Sequence, residues 1–212
     1  MAIKLGIYDW NGTLLNDFWV AYKAMSEIFK MFGLTPPTEE DFKENITPDI
    51  ATFYYQRGVS KTVTKAEMDV VFQAVVKRHW EEVDLSPYAY GALQELRDNG
   101  VKSAIVSAEL NEVLNRRLDQ FGLRNKIDRM AGESFRLGKV KNIRFVLEEF
   151  GVKPEEAFYV GDTHGDVQAA KEVGVKAIAF TGGFNTEKKL KAANPDAIID
   201  SLWGLTYIAS ES

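Results

Sequence analysis

The sequence predicts an α/β fold: a doubly wound, mostly parallel sheet into which a helical domain is inserted. Apolar runs typical of buried strands alternate with helical patterns from Pro87 onward, which indicates βαβ units and a parallel sheet. Another apolar run, residues 3–8, ends at a carboxylate and a glycine turn, as a buried strand can. Between these regions only helical patterns occur. We therefore predict a core domain formed by residues 1–14 and 87–212, and an inserted helical domain formed by residues 15–86.

The inserted domain is predicted to be entirely helical. Its first helix ends at Gly33 and carries apolar residues every three or four positions, namely Leu14, Phe18, Ala21, Met25, Ile28 and Phe32. Short helices are expected over residues 39–44 and 49–57, the second opened by Pro48. Thr64-Lys65-Ala66-Glu67 is a capping box that begins a longer helix, whose apolar side is predicted to comprise Met68, Val71, Phe72, Val75, Val76 and Val83.

The core domain is predicted to alternate between α-helices and β-strands. Helical patterns occupy residues 90–98, 111–121, 142–150 and 166–173. Short β-rich runs occupy residues 102–106, 127–131, 157–160, 175–180 and 197–199. Glycines follow three of the helices, as is usual for helix C-termini. The first strand is expected to join the same sheet. Two linkers, near residues 15–17 and 83–86, are expected to act as a hinge between the domains.

Composition excludes several classes of protein. The net charge is -5, which argues against a nucleic-acid-binding surface because such surfaces are basic. No apolar run approaches the roughly 20 residues of a membrane-spanning helix, and the first residues leave no room for a signal peptide. The chain has no cysteine, which rules out disulfides and thiolate metal ligands. We expect a cytoplasmic protein without a membrane partner, and the sequence leaves its oligomeric state open.

Polar side chains follow four of the predicted strands. They are Asp9, Ser107, the segment around Lys139, and Asp162 with Asp166. Because the carboxyl ends of parallel strands lie along one edge of a sheet, we expect these groups to converge. Carboxylate oxygens are hard ligands that suit Mg²⁺, and lysine binds phosphate as a point charge. The sequence therefore predicts a site for magnesium and a phosphate group.

These residues resemble the motifs of a known family. Asp9-Trp10-Asn11-Gly12-Thr13, Ser107, Lys139 and Gly161-Asp162-Thr163-His164-Gly165-Asp166 are similar, in order, to the four motifs of the haloacid-dehalogenase-like hydrolases. The helical insertion between the first two motifs resembles the C1-capped branch, which includes phosphoglycolate phosphatases. The resemblance covers essentially the whole chain and implies a phosphatase acting on a small phosphorylated metabolite.

The resemblance also implies a role for each residue. Asp9 would attack phosphorus and become an aspartyl phosphate. Magnesium would be held by the Asp9 carboxylate, the backbone carbonyl of Asn11 and Asp162, with Asp166 supporting the metal's water or the lysine. Ser107 and Lys139 would hold the phosphoryl oxygens. Lys141 competes with Lys139 for this role, although the predicted helix start near residue 140 favours Lys139.

Asn11 departs from the family pattern. Phosphatases of this family usually carry a second Asp there, which protonates the leaving oxygen and later activates water, whereas an amide cannot transfer a proton at neutral pH. Four interpretations stay open: a slow phosphatase or one acting on an activated phosphate, another base such as His164, a non-catalytic phosphate-binding protein, or an introduced change. A phosphomutase of the same branch also needs the second Asp. Deamidation of the Asn-Gly pair would regenerate a carboxylate in some molecules.

Overall fold

Six parallel strands form the centre of the molecule. The computed structural model describes residues 2–47 and 49–210, with the side chains of Phe135 and Leu137 left aside. The strands run in the order β3-β2-β1-β4-β5-β6, the strand order of a doubly wound sheet. Their bounds are β1 Leu5–Tyr8, β2 Lys102–Val106, β3 Arg129–Ala131, β4 Ala157–Gly161, β5 Lys176–Phe180 and β6 Ala197–Ile199. The predicted fold class is confirmed.

Strand β1 lies in the middle of the sheet and sets its register. Leu5 pairs with Lys102 of β2 on one side and with Ala157 of β4 on the other. All four residues of β1 are buried, as expected for a parallel strand covered on both faces. Because β2 and β4 flank β1 in parallel, the residues that follow these three strands lie at the same edge.

Helices cover both faces of the sheet. One apolar cluster joins Tyr8, Ile105 and Phe158 to the helices α5 Ala89–Asp98, α6 Asn111–Gln120 and α11 Gly204–Ser210. The opposite cluster joins Leu5, Ile7 and Tyr159 to the helices α8 Lys139–Phe150, α9 His164–Val173 and α10 Glu187–Ala192. Successive strand residues enter opposite clusters because side chains alternate across a strand.

The inserted segment forms its own helical group. Its helices are α1 Phe18–Met31, α2 Glu39–Asn45, α3 Ile50–Gln56 and α4 Lys65–Arg78. Buried aromatic residues form its centre, where Phe42 and Phe53 pack edge to face with ring centroids 5.3 Å apart. The Thr64–Glu67 capping box is present at the start of α4. Other residues of the insertion, Val20 and Val75 among them, pack against the sheet's α5/α6 side.

The two chain crossings between insertion and sheet run side by side. Leu15 and Leu85 form an antiparallel bridge. The N–H of Asn16 donates to the carbonyl of Asp84 at 2.9 Å, and the N–H of Ser86 donates to the carbonyl of Leu14 at 2.8 Å. The segments predicted as a hinge are therefore paired with each other.

Several predicted boundaries were wrong. Helix α4 ends at Arg78 and a 3₁₀ turn follows over Trp80–Glu82, so Val83 lies outside the helix. Helix α8 begins at Lys139 rather than at residue 142. The helices α7 Ser134–Leu137, α10 and α11 were not predicted, and each spans only four to seven residues. The predicted start at Pro48 lies outside the described residues.

Within residues 2–47 and 49–210, none of the helices is both long enough and apolar enough to cross a bilayer.

Candidate active site

Asp9 lies directly after β1 and is nearly inaccessible, with 6% of its surface exposed. Its N–H donates to the carbonyl of Val160 at 2.9 Å, which continues the β1–β4 pairing to the end of the strand. Burial raises the pKa of the Asp9 carboxyl to about 7, although the Lys139 ammonium opposes this shift. Loss of the proton leaves a carboxylate in a water-poor setting, where hydrogen bonds from Lys139 and from the N–H of Trp10 only partly offset the cost of burial.

Three buried carboxylates converge at this edge of the sheet. Oxygens of Asp9, Asp162 and Asp166 lie within 4.8 Å of one another. Burial, and then the charges of Asp166 and Asp9, raise the pKa of Asp162 well above its ordinary value. A cluster of hard oxygen ligands with excess negative charge fits a divalent cation such as Mg²⁺. The donor set therefore suits the predicted metal.

Lys139 opposes this negative charge. Its Nζ lies 2.9 Å from Asp9 Oδ2 and also contacts Asp166 Oδ1. Burial alone would lower the pKa of Lys139, but the carboxylates of Asp166 and Asp9 more than offset it and keep that pKa above its ordinary value. Lys139 is the first residue of α8, whereas Lys141 is exposed. The geometry thus favours Lys139 over Lys141 as the lysine of the site.

Asp166 is fixed by hydrogen bonds to both of its oxygens. The N–H of Thr163 donates to Oδ2 at 3.0 Å, and the hydroxyl of Tyr159 donates to Oδ1 at 3.1 Å. In return the N–H of Asp166 donates to Thr163 Oγ1 at 3.2 Å. This capping box starts α9, so the helix start itself positions the carboxylate.

Asp162 is held by groups from two loops. Thr13 Oγ1 donates to Oδ1 at 2.8 Å, and the N–H of Phe184 donates to Oδ2 at 2.6 Å. Side chains at Gly12 or Gly183 would collide with this carboxylate, and Gly12 also has a φ of +72°, a conformation that glycine adopts readily. The first motif therefore contributes Thr13 as a direct hydrogen-bond donor to Asp162.

Ser107 follows β2 and is buried. Its Oγ accepts a hydrogen bond from the N–H of Glu109 at 3.1 Å. It does not cap α6, because Leu110 is the residue at that position. The hydroxyl proton of Ser107 therefore has no described acceptor here, and its position at the neighbouring strand end matches the sequence prediction.

Asn11 is paired with a residue that the sequence analysis missed. Its Nδ2 donates to Asp17 Oδ2 at 2.7 Å, and the N–H of Gly12 donates to Asp17 Oδ1, also at 2.7 Å. Burial raises the pKa of Asp17 to about 6, against the hydrogen bonds from Asn11 and Gly12. Helix α1 begins at Phe18, later than the predicted apolar stripe that started at Leu14, and Asp17 occupies its N-cap position. The Asp17 side chain does not cap α1, because it turns back to the Asn11 loop.

A cavity of about 360 Å³ opens beside Asn11. The loops that follow β1 and β2 form one wall, with Trp10, Asn11 and Glu109. Apolar residues of α1 and α4 form much of the facing wall. A ligand held at the acidic edge can therefore extend into a space between the sheet and the insertion.

Polar side chains of the insertion, and His164 of the core, have other surroundings. Arg57 pairs with Asp41, Arg78 pairs with Glu27, and His79 Nδ1 lies 2.9 Å from Glu82 Oε1. These contacts belong to the insertion's own structure. His164 is the first residue of α9, and its N–H donates to Asn185 Oδ1 at 2.8 Å.

Comparison with known proteins identifies relatives across the chain. Residues 6–180 match the haloacid dehalogenase-like hydrolase family. The chain is 29% identical over 202 residues to a phosphoglycolate phosphatase from Aquifex aeolicus, which covers 92% of this chain and 91% of that relative. It is 22% identical over 215 residues to pyrophosphatase PpaX from Oceanobacillus iheyensis, covering 100% and 99% of the two chains.

Solved structures share the fold. A haloacid dehalogenase-like protein of unknown function from Agrobacterium tumefaciens has a TM-score of 0.83 at 19% identity, with 99% of this chain and 98% of that chain covered. A predicted phosphoglycolate phosphatase from Haemophilus somnus has a TM-score of 0.76 at 20% identity, with 97% of each chain covered. At this level of identity the likeness extends to the fold.

The acidic cluster predicts a particular pH dependence of stability. The folded protein binds a proton at Asp9 more tightly than the unfolded chain, whose carboxyl has a pKa near 3.8. Without metal, the free energy of unfolding should therefore fall as the pH rises from about 4 to about 7. Asp162→Asn should raise that free energy at pH 8 by about 1–3 kcal/mol, the Coulomb energy of two carboxylates at this separation.

Urea denaturation in a chelator measures this effect. The exposed Asp200 provides a matched control, since Asp200→Asn removes a surface charge that is not part of the buried acidic cluster. Mg²⁺ should stabilise the wild-type protein and stabilise Asp162→Asn much less. A lower free energy of unfolding for Asp162→Asn than for the wild-type protein, in chelator at pH 8, would contradict the proposed charge balance. Equal stabilisation of both proteins by Mg²⁺ would contradict it as well.

Proposed function

This chain belongs to the haloacid dehalogenase-like hydrolase family, and we propose that it is a magnesium-dependent phosphomonoester hydrolase that forms an aspartyl phosphate. One observation carries the proposal: buried Asp9, Asp162 and Asp166 meet at the sheet edge with the Lys139 ammonium 2.9 Å from Asp9. The relatives named phosphoglycolate phosphatase and pyrophosphatase make phosphoglycolate and pyrophosphate the first compounds to test.

In this proposal Asp9 is the nucleophile. A carboxylate oxygen of Asp9 attacks phosphorus, the bond to the ester oxygen breaks, and water later hydrolyses the aspartyl phosphate. Asp9, Asp162 and the Asn11 backbone carbonyl would hold Mg²⁺, which supplies Lewis-acid stabilisation of the phosphoryl oxygens when bound. Asp166 would support this arrangement through its contact with Lys139.

The phosphoryl oxygens would be bound by Ser107 and Lys139. Lys139 is oriented by Asp166, which Thr163 and Tyr159 hold in place. A lysine held beside the nucleophile can balance the charge that the phosphate brings. Ser107 would donate its unpaired hydroxyl proton to the same group.

Because of Asn11, we expect slow hydrolysis of phosphate esters. General acid–base catalysis typically contributes about 10²–10⁴-fold, and the amide cannot provide it. The hydrogen bond to Asp17 holds the Asn11 amide in place. We therefore propose a slow hydrolase of alkyl phosphates or one that acts on activated phosphates. The second candidate function is a phosphate-ligand-binding protein with negligible turnover. The lack of an acid–base group at Asn11 favours this candidate. A phosphomutase is disfavoured for the same reason.

Asp9→Asn tests the nucleophile. We expect the variant to lose all turnover and any acid-stable covalent phosphate, because an amide does not attack phosphorus. Chelation of Mg²⁺ should give the same loss, and steady-state release of phosphate from small esters measures both. Asp200→Asn is the matched control and should keep full activity. Turnover that survives Asp9→Asn or excess chelator would refute the aspartyl-phosphate mechanism.

Asn11→Asp tests the missing acid. Turnover of an alkyl phosphate should rise by about 10- to 10⁴-fold, and that of an aryl or acyl phosphate should rise less because its leaving group needs less protonation. The new carboxylate would face Asp17, so the double variant Asn11→Asp/Asp17→Asn serves as a second test that restores an amide–carboxylate pair. Mass spectrometry must first exclude deamidation of Asn11 in the wild-type sample.

An unchanged or lower rate in both variants would contradict this interpretation of Asn11. His164→Ala would then be the next variant, because His164 is the other group considered as the proton donor. Asp9→Asn combined with Asn11→Asp should remain inactive, which confirms that any gain passes through the same nucleophile.

We further propose that residues 15–86 act as a lid. The paired crossings at Leu15 and Leu85 would form its hinge. Away from these crossings, α2 contacts the segment 186–189 of the core. Glu44 accepts hydrogen bonds from Thr186 and from Lys188, the latter at 2.9 Å. Lys189 Nζ donates to the carbonyl of Ile46 at 2.6 Å. Closure of such a lid would exclude water from phosphoryl transfer.

Glu44→Gln should favour the open lid by roughly two- to fivefold, the modest effect expected of an exposed ion pair. Because the chain lacks cysteine, Lys61→Cys and Glu155→Cys can carry a donor and an acceptor dye, and single-molecule energy transfer measures the two states. Glu39→Gln on the same helix is the control. A single distance, unaffected by a phosphate analogue or by Glu44→Gln, would show that the insertion is fixed.

A further inference from the structure

The cavity beside Asn11, here the front cavity, adjoins a second one inside the insertion. The second, here the rear cavity, has a volume of about 540 Å³. Four residues line both cavities, namely Ala21, Phe72, Gln73 and Phe184. The two spaces therefore share a wall, and Trp10 and Asn11, which follow Asp9 in the chain, line the front cavity and not the rear one.

The rear cavity is apolar. Its walls come from all four helices of the insertion and include Ile28, Phe42, Tyr54 and Met68. The charged residues at its margin, Lys65 and Asp69, are bound to each other with 2.5 Å between Nζ and Oδ2 and are substantially exposed. A ligand group in this cavity would meet hydrocarbon surface, which favours apolar groups and disfavours unpaired charges.

The front cavity offers little to an anionic leaving group. Its charged lining residues are Asp17, Glu109 and Arg117, so carboxylates outnumber cations. Arg117 is only 2% exposed; its guanidinium lies 3.4 Å from the Trp80 ring centroid and donates from Nη1 to Trp80 O and Gln120 Oε1, while its Nε has no hydrogen-bond partner within the described residues. Because the two carboxylates outnumber this one cation, a second carboxylate on the substrate would meet a lining of net negative charge.

We propose that the substrate is a phosphate monoester of an apolar alcohol, whose alkyl or aromatic group extends through the front cavity into the rear cavity. This inference rests on the proposed function, because it assumes that the phosphate binds at Asp9. It separates this chain from relatives named for phosphoglycolate, whose leaving group carries a carboxylate.

A series of n-alkyl phosphates tests the inference. We expect kcat/KM to rise by about two- to fourfold per methylene from ethyl to hexyl phosphate, as burial of each methylene predicts. Phosphoglycolate should be a poorer substrate than butyl phosphate, which has a similar size without the second anion. A flat series, or a preference for phosphoglycolate, would overturn the proposal while leaving the hydrolase function intact.

Variants of the shared wall locate the effect. Ala21→Phe should reduce the hexyl-to-ethyl ratio of kcat/KM to near one, because the larger side chain closes the path to the rear cavity. Ala21→Leu provides a milder block if the first variant unfolds. Lys23→Phe, on the exposed side of α1, should leave the ratio unchanged. Equal ratios in Ala21→Leu and the wild-type protein would contradict the proposed path.

Binding gives a readout that does not depend on turnover. Calorimetry in Mg²⁺ with ethyl, butyl and hexyl phosphonates and with phosphonoacetate should show affinity that rises with chain length, and weak binding of the carboxylated compound. If no ester is hydrolysed but this binding order holds, the proposed function fails and the inference about the cavity stands. If phosphonoacetate binds as tightly as butyl phosphonate, the inference fails.

Discussion

The balance between three buried carboxylates and one ammonium group governs this molecule. Asp162 and Asp166 are fully buried and Asp9 nearly so, and burial of charge is costly unless each group is paired or hydrogen-bonded. The structure meets this cost with donors from separate segments: Thr13, Phe184, Thr163, Tyr159 and Lys139. The central position of β1 between β2 and β4 makes this convergence possible. The remaining excess of negative charge is what a divalent cation would neutralise.

Asn11 and Asp17 form a unit that is consistent with this balance. Asp17 accepts hydrogen bonds from the Asn11 amide and from the N–H of Gly12. The side chain at position 11 that faces Asp17 must therefore be a hydrogen-bond donor. A carboxylate at position 11 would face Asp17 across the same 2.7 Å, and two carboxylates sharing a site cannot both ionise easily. The surroundings therefore suit an amide, which favours Asn11 as the resident residue over an introduced change.

Much of the fold could be predicted because its strands are short apolar runs with polar ends. Residues 102–106 and 197–199 were assigned with the observed bounds, and α1 to α4 occupy the stretch that showed only helical patterns. Short helices were predicted unevenly: α2 and α3 were found, whereas α7, α10 and α11, of four to seven residues, were not, because so few residues give only a weak helical period. Asp17 was part of the predicted hinge segment, and only the folded loop shows its contact with Asn11. The cavities depend on side chains from distant segments, which local patterns do not reveal.

Phe184 connects the two parts of the candidate site. Its N–H binds Asp162, while its ring packs edge to face against Phe18 of α1 with 5.4 Å between centroids. The same residue lines both cavities. A ligand that occupies the cavities and a cation that binds Asp162 would therefore both act on the loop after β5. Linkage requires any such effect to be reciprocal. The helices that would select the leaving group are thus joined to the acidic cluster through this loop as well as through the contact of Asp17 with Asn11.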